Sequence, residues 1–272
     1  MTAFILQNEM PIRLGFFLGV FSLMALWEMF APKRVLQAPK ARRWADNLGI
    51  TGAGALAIRY FFSAGATGFA MLVQKNGWGL LALVELPYWI NVLACFLVLD
   101  FAIYMQHLIF HHVPLLWRLH MVHHADLDID VTTGARFHPV EILLSMIIKM
   151  GVIFLIGAPV LAVLVFEVVL NASAMFNHSN VRLPLGIDRI LRLFLVTPDM
   201  HRVHHSVIIK EFNSNFGFCL SWWDRLMGTY RPQPLKGHQD MRIGLAKFRE
   251  EDKLHFLSLL LMPFGRTTQK NS

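Results

Sequence analysis

Residues 142–171 read ILLSMIIKMGVIFLIGAPVLAVLVFEVVLN, a run of 30 residues whose only charged side chains are Lys149 and Glu167. A membrane-spanning helix needs about 20 apolar residues, so this run is too long for one simple crossing. Gly157 and Pro159 interrupt it near the middle, and both residue types favour a break in a helix. The run therefore predicts a helical hairpin that enters the membrane and returns to the same side.

Three further apolar runs precede this hairpin, at residues 12–30, 51–73 and 80–105. Each is about long enough to cross a bilayer as a helix. The whole chain is 55% hydrophobic with a mean hydropathy of +0.48, and only 16% of its residues are charged. A soluble domain carries about 25% charged residues. The sequence thus predicts an all-α integral membrane protein, with about four to five membrane segments and a cytosolic helical cap.

Basic residues predict the orientation of the chain. Lys33, Arg34, Lys40, Arg42 and Arg43 follow the first apolar run, and the positive-inside rule places such a loop in the cytoplasm. Counting alternate crossings then brings the histidine-rich segments to the cytoplasmic face as well. We expect a single domain over 1–272, with residues 1–105 mainly transmembrane. Residues 106–139 would carry the first histidine boxes, 140–172 the membrane hairpin, and 173–272 the cytosolic cap with the last box.

The net charge of +7 is spread over loops that flank the apolar runs. This distribution favours attraction to anionic lipid headgroups and argues against nucleic acid as a partner. Cys95 and Cys219 are the only cysteines, so the chain has neither a zinc-finger spacing nor a disulfide framework.

Eight of the 13 histidines fall into three boxes with helical spacing: His107 and His111; His120, His123 and His124; His201, His204 and His205. Because residues three and four apart share one helix face, each box is expected to direct its imidazoles toward one point. A single histidine near a membrane interface is more often a hydrogen-bonded interfacial residue. Burying eight imidazoles without partners would cost free energy, so the pattern predicts a metal site.

The type of ligand leaves the metal open, because imidazole suits iron, zinc, copper and nickel. Eight ligands exceed the four that one tetrahedral zinc ion uses, so two metal ions sharing the set is the simplest solution. Zinc has no redox chemistry and iron has. The choice of iron therefore depends on the function and not on the spacing.

Several segments around the boxes extend the pattern. They are Asp100-x₃-Tyr104-x₂-His107, Leu116–His120, Thr133-x₂-Arg136-Phe137-His138-Pro139-x-Glu141, Asn177–Asn180, Thr197–His205, Asn213-x-Asn215-Phe216-Gly217 and Trp223–Tyr230. Together with the boxes they resemble the fatty acid hydroxylase/sterol desaturase superfamily, which are membrane-bound di-iron oxygenases. The resemblance implies that the eight boxed histidines ligate two iron ions, that His178 is a ninth ligand, and that O₂ is a co-substrate. Zinc is the alternative occupant after purification.

The resemblance also raises a question about the ligand set. Some members of the superfamily carry a further ligand four residues before His178, where this chain has Ala174, so one metal is short of a ligand or carries water. His112 is excluded because it would point about 100° away from His111 on a helix.

Residues behind the ligands can be predicted from a general rule. Metal-ligating histidines usually donate their second N–H to a carboxylate or a carbonyl. Asp199 and Asp130 are the carboxylates that we expect in this role. His138 is expected beside the site and not as a ligand.

The resemblance implies an oxidoreductase of lipid biosynthesis that oxidises a lipid C–H bond, by hydroxylation of an acyl or sterol-like lipid. Desaturation of a sterol, acyl or carotenoid lipid at the same site is the alternative. A lipid substrate from the bilayer and a separate electron donor, such as a ferredoxin or a cytochrome b₅-like protein, are the expected partners. From another class, a non-catalytic membrane metal-binding or transport protein stays open.

Overall fold

Helices build the part of the chain that the computed structural model describes, residues 2–265, and make up 68% of the structure. The longer ones are α1 (Thr2–Phe30), α2 (Lys40–Phe61), α3 (Gly65–Lys75), α4 (Tyr88–His112), α5 (Pro114–His124), α6 (Pro139–Ile156) and α7 (Val160–His178). The shorter ones are α8 (Leu185–Leu191), α9 (Pro198–His204), α10 (Ile209–Phe212), α11 (Trp222–Leu226), α12 (Gly237–Asp240) and α13 (Phe256–Leu261). The predicted all-α class is confirmed. The ends of the expected domain, residue 1 and residues 266–272, lie outside the described residues.

Five stretches of the described chain are long and apolar enough to cross a membrane: Gln7–Phe30, Lys40–Leu83, Tyr88–His112, Pro139–Ile156 and Val160–His178. The predicted run at 51–73 is not one straight helix. The chain leaves α2 at Phe62 and begins α3 at Gly65, whose φ of +60° is a left-handed conformation that glycine adopts without strain. The helix of the run at 80–105 is shifted along the chain, because α4 starts only after Pro87 and continues to His112.

The predicted hairpin is formed by α6 and α7, with 18 and 19 residues. Gly157 ends α6 with a φ of +74°, and Pro159 precedes α7. A Cβ at Gly157 would lie 2.7 Å from the carbonyl oxygen of Trp78, so the turn needs glycine for space as well as for conformation. Since the two helices are antiparallel, Glu141 at the start of α6 and His178 at the end of α7 lie at the same end of the molecule.

Helix α7 packs against α1, α3, α4, α9 and the short turn Thr133–Ala135. This turn approaches α7 closely: a Cβ at Gly134 would lie 2.5 Å from the carbonyl oxygen of Ala174. Helix α5 packs against α4 and α6. This packing brings together the ends of α4, α5, α7 and α9, which carry the histidine boxes and His178.

Ion pairs connect the basic loop after α1 to the end of the helix bundle that carries the histidines. Lys33 Nζ donates to Asp199 at 2.5 Å. On α2, the Arg43 guanidinium donates to Asp126 at 2.7 Å and to Asp130 at 2.8 Å. These carboxylates lie in the segments that carry or follow the boxes, so the basic loop and the histidines share one end of the bundle.

Candidate metal centre

All nine histidines predicted as ligands are at most 3% exposed and gather at this end of the bundle. They form two groups, and within each group one nitrogen per ring lies within 4.8 Å of the others. The five-histidine group consists of His107, His111, His120, His124 and His204; the four-histidine group consists of His123, His178, His201 and His205. The arrangement is compatible with a metal ion in each group.

The boxes do not correspond one to one to the groups. In the second box, His120 and His124 belong to the five-histidine group and the adjacent His123 to the four-histidine group. In the third box, His204 belongs to the five-histidine group and the other two histidines to the four-histidine group. Residues four apart share a helix face, whereas neighbours point about 100° apart. The expectation that each box points toward one place is therefore wrong for these two boxes. His112 is exposed and lies outside both groups.

Backbone carbonyls fix the tautomers of several rings. His107 Nδ1 lies 2.7 Å from the carbonyl oxygen of Phe216, and His204 Nδ1 lies 2.7 Å from that of Ser214. A carbonyl oxygen can only accept, so each Nδ1 carries the proton and donates it. The Nε2 atom of each neutral ring is then left with a bare lone pair, which is the form that binds a metal ion.

Asn215 turns these two carbonyls toward the five-histidine group. It is the non-glycine residue with positive φ in the described chain, at +55°. Asparagine tolerates this left-handed conformation better than most residues. Its side chain donates to the carbonyl oxygens of Met200 and Arg231 at 2.8 and 2.9 Å and accepts from the Arg231 N–H at 2.8 Å. Three hydrogen bonds to two residues thereby hold the turn between Ser214 and Phe216.

In the four-histidine group the bare Nε2 lone pairs of His123 and His178 face each other. His178 Nδ1 donates to the carbonyl oxygen of Ala174 at 2.7 Å, and His123 Nδ1 faces that of Arg136 at 3.3 Å. Their Nε2 atoms are 3.0 Å apart, and the Nε2 atoms of His178 and His201 are also 3.0 Å apart. Two neutral nitrogens without a proton between them repel each other. Two imidazoles bound at about 2.1 Å and about 90° apart on one metal ion would place their nitrogens about 3.0 Å apart, so this donor set fits a metal ion.

The same spacing occurs in the five-histidine group. The Nε2 atom of His124 lies 3.1 Å from that of His111 and 3.1 Å from that of His204. The buried Nε2 atoms of His107 and His120 have no hydrogen-bond partner among the residues that the structure describes. Nitrogens that are buried, bare and convergent are what a metal ion requires of its ligands.

Burial keeps these imidazoles neutral. It lowers the pKa of His120 to about 3, and burial together with neighbouring imidazoles holds the pKa values of His123, His124 and His204 well below the usual range. The neutral imidazole is the ligand form. The chain therefore presents its donors ready for a cation at physiological pH.

Among the described residues, the carboxylate that reaches one of the nine histidines is Glu141, whose Oε1 accepts from His120 Nδ1 at 2.7 Å. Asp199 and Asp130, the carboxylates expected in this role, contact none of the nine histidines in the described chain. Asp199 binds Lys33 and Arg202, and Asp130 binds Arg43. A buried carboxylate next to a cation gains more from that cation than from a neutral imidazole. Glu141 was one of several carboxylates in the sequence, and its place in the first turn of α6, two residues after Pro139, was the signal that could have found it.

His138 is not brought to the metal centre either. Its Nδ1 accepts from the N–H of Val140 at 3.2 Å, and its Nε2 lies 3.1 Å from the carbonyl oxygen of Leu260, to which it donates. It contacts none of the nine histidines within residues 2–265. His138 therefore closes the first turn of α6 and connects it to α13.

A cavity of about 280 Å³ adjoins the five-histidine group. His107 and His120 line it, with Ile103, Phe137 and Phe218 among its apolar walls. None of the four-histidine group lines it. The cavity lies between α1, α2, α4, α6 and α7, so a substrate there would meet the five-histidine group first.

Comparison with known proteins agrees with this geometry. A family model described as fatty acid hydroxylase matches residues 92–229, half of the chain, and this segment contains all nine histidines. The chain therefore belongs to the fatty acid hydroxylase family, as the histidine pattern predicted.

Three relatives illustrate the range of the family. The chain is 32% identical to ornithine lipid hydroxylase OlsE of Rhizobium tropici over 68% of this chain and 53% of that protein. It is 31% identical to human alkylglycerol monooxygenase over 52% of this chain and 30% of that protein. It is 30% identical to human cholesterol 25-hydroxylase over 52% of this chain and 51% of that protein. The matches span about half or less of each relative's length, and no solved structure matches.

Proposed function

We propose that this chain is an O₂-dependent lipid hydroxylase that holds two iron ions, one in each histidine group. The observation that carries the proposal is that His107 and His120 form one end of an apolar cavity between helices able to cross a membrane. The names of the relatives, which are hydroxylases and a monooxygenase of ornithine lipid, alkylglycerol and cholesterol, support a lipid substrate and favour hydroxylation over desaturation.

Iron bound to the imidazoles would supply activation of O₂ and removal of hydrogen from a C–H bond. The residues of the chain position the reaction. Hydrogen bonds from Nδ1 to Phe216 and Ser214 hold His107 and His204 as ligands, and Glu141 holds His120. The apolar walls exclude water from the reacting carbon.

The metal centre is proposed to face the cytoplasm. The basic loop after α1 lies at the same end as the histidines, through Lys33–Asp199 and the neighbouring Arg43–Asp126 pair. Because short loops rich in lysine and arginine stay in the cytoplasm, this contact supports a cytoplasmic site. Electrons would then come from a separate cytosolic or membrane-bound donor, such as a ferredoxin or a cytochrome b₅-like protein.

Comparative lipid mass spectrometry tests the function. Cells would express the wild-type chain or His204→Ala, together with a reductase and a ferredoxin or cytochrome b₅ donor and added iron. We expect a lipid that gains one oxygen atom with the wild type and not with His204→Ala. His112→Ala is the matched control, since His112 is exposed and outside both groups, and it should retain the product.

The other outcomes separate the alternatives. A lipid that loses two hydrogen atoms would replace hydroxylation by desaturation at the same site. Stable zinc with no change in any lipid, even with iron and each donor supplied, would overturn the enzyme and leave a metal-binding or transport protein.

A further inference from the structure

Helix α6 carries a polar stripe along the cavity. Glu141, Ser145 and Lys149 are four residues apart, so they share one helix face, and all three line the cavity. The stripe begins at the metal centre, where Glu141 binds His120. At 1.5 Å per residue, Lys149 lies about 12 Å further along the helix. The rest of α6 is apolar, so a lysine at this depth needs a reason.

Ion pairing with Glu167 explains only part of the presence of Lys149 in this apolar helix. Lys149 Nζ donates to Glu167 Oε1 on α7, and Arg13 on α1 donates to Glu167 Oε2. The side chains of Lys149 and Glu167 are 10% and 5% exposed. Ion pairs among membrane helices are costly and usually mark a functional site. A pair that only joined α1 to α7 would already be complete with Arg13 and Glu167.

The ammonium group of Lys149 has donors to spare. It carries three N–H groups and no acceptor. One N–H is used by Glu167, and no other hydrogen-bond partner of Lys149 occurs among the described residues. Both carboxylate oxygens of Glu167, in contrast, are engaged. The free bonding capacity at this end of the cavity is therefore that of a cationic donor.

We propose that Lys149, with Ser145 beside it, binds the oxygen-bearing end of the lipid substrate and so directs a carbon further along its chain to His107 and His120. Arg13 is also paired with Glu9, whereas Lys149 binds Glu167 alone and keeps N–H groups for a ligand. A carboxylate, as the stronger acceptor, therefore binds more tightly than a hydroxyl, and both bind more tightly than a methyl end. About 12 Å corresponds to about ten extended carbons. The prediction of which carbon is oxidised rests on the proposed function. The prediction that Lys149 binds the polar end of the lipid does not.

Photolabelling of the full chain in detergent tests the subsite. The probes are hexadecanoic acid, hexadecan-1-ol and hexadecane, each with a diazirine at about the tenth carbon. With the acid and the alcohol we expect labelled peptides that contain Phe137 or Phe218, at the metal end of the cavity. Lys149→Met should lower labelling by the acid about tenfold or more, as loss of a charge-assisted hydrogen bond predicts, and leave labelling by hexadecane unchanged.

Two variants guard against a folding defect. Lys149→Arg keeps the pair with Glu167 and should retain labelling by the acid. Ile142→Trp narrows the cavity beside its metal end and should abolish labelling by all three probes, with the pair of Lys149 and Glu167 intact. Equal labelling of wild type and Lys149→Met by the acid, or labels at Lys149 and not at the metal end, would overturn the subsite. Labelling needs no iron and no turnover, so labelling without any oxidised lipid would overturn the function and spare the subsite.

Discussion

The two histidine groups differ in what stands behind their ligands. In the five-histidine group, three rings are held through Nδ1: His107 by Phe216, His120 by Glu141 and His204 by Ser214. In the four-histidine group, the part of the chain that the structure describes gives such a contact to His123 and His178 alone. The Nδ1 atoms of His201 and His205 are buried without a hydrogen-bond partner among the described residues.

This difference predicts that the two groups bind metal with different affinity. Such contacts behind a ligand change metal affinity about 10- to 100-fold, so we expect tighter binding at the five-histidine group, which also faces the cavity. The four-histidine group has fewer ligands and lies beside Ala174, where some members of the superfamily have a further ligand. We infer that it is the more labile site, away from the substrate.

Removal of one ligand from each group should have the largest effect. His107→Ala leaves four imidazoles in its group, and His201→Ala leaves three. Both should lower product formation by about 100-fold or more, but only His201→Ala should lose about one iron per chain. Lipid mass spectrometry and metal analysis of the purified variants measure this. A greater loss of iron from His107→Ala would reverse the order of the two sites.

Asn215→Ala should weaken the five-histidine group alone. Alanine strains at a φ of +55° and loses three hydrogen bonds, which together cost about 2–4 kcal/mol. We expect a lower thermal midpoint and iron binding weakened about tenfold. Asn215→Gly is the matched control: it accepts the left-handed conformation and should be less destabilised. Equal midpoints for the two variants would mean that the conformation of residue 215 contributes little.

Chelation should remove the two proposed irons in separate steps. A chelator should take the first iron about ten times faster or more than the second, because the four-histidine group has fewer supported ligands. Absorbance of the chelate measures both phases. The fast phase should be absent in His201→Ala and present in His107→Ala. One phase in the wild type would show that the difference in supporting contacts does not affect release.

Glu141→Gln should have the smallest effect. Glutamine still accepts from His120 but loses the negative charge, and charge-assisted hydrogen bonds are about twice as strong as neutral ones. We expect iron at the five-histidine group to bind a few-fold more weakly, and the fast phase of chelation to stay the same. Glu141→Ala should weaken binding further, by about tenfold or more. A change confined to the fast phase would assign Glu141 to the other group.

The sequence by itself determined the membrane class, the hairpin and the nine histidines. Long apolar runs and a Gly/Pro break are local signals, and the spacing of the boxes follows from the helix period. The break at Gly65 was not evident, because glycine is common within membrane helices and only its neighbours decide whether the chain turns there.

Only the tertiary structure decided which distant histidines join in each group and what holds them. The split of His123 from His124 could be foreseen from the helix period, but which distant ring joins each depends on the packing of α4, α7 and α9. The partners behind the ligands could not be foreseen. Every residue has a backbone carbonyl, so the sequence does not show that those of Ser214 and Phe216 accept from histidines. Their direction depends on the backbone conformation at Asn215. Asp199 and Asp130 were expected to bind the histidines. The fold instead brings Lys33 to Asp199 and Arg43 to Asp130 from distant segments, and the carboxylates bind these cations.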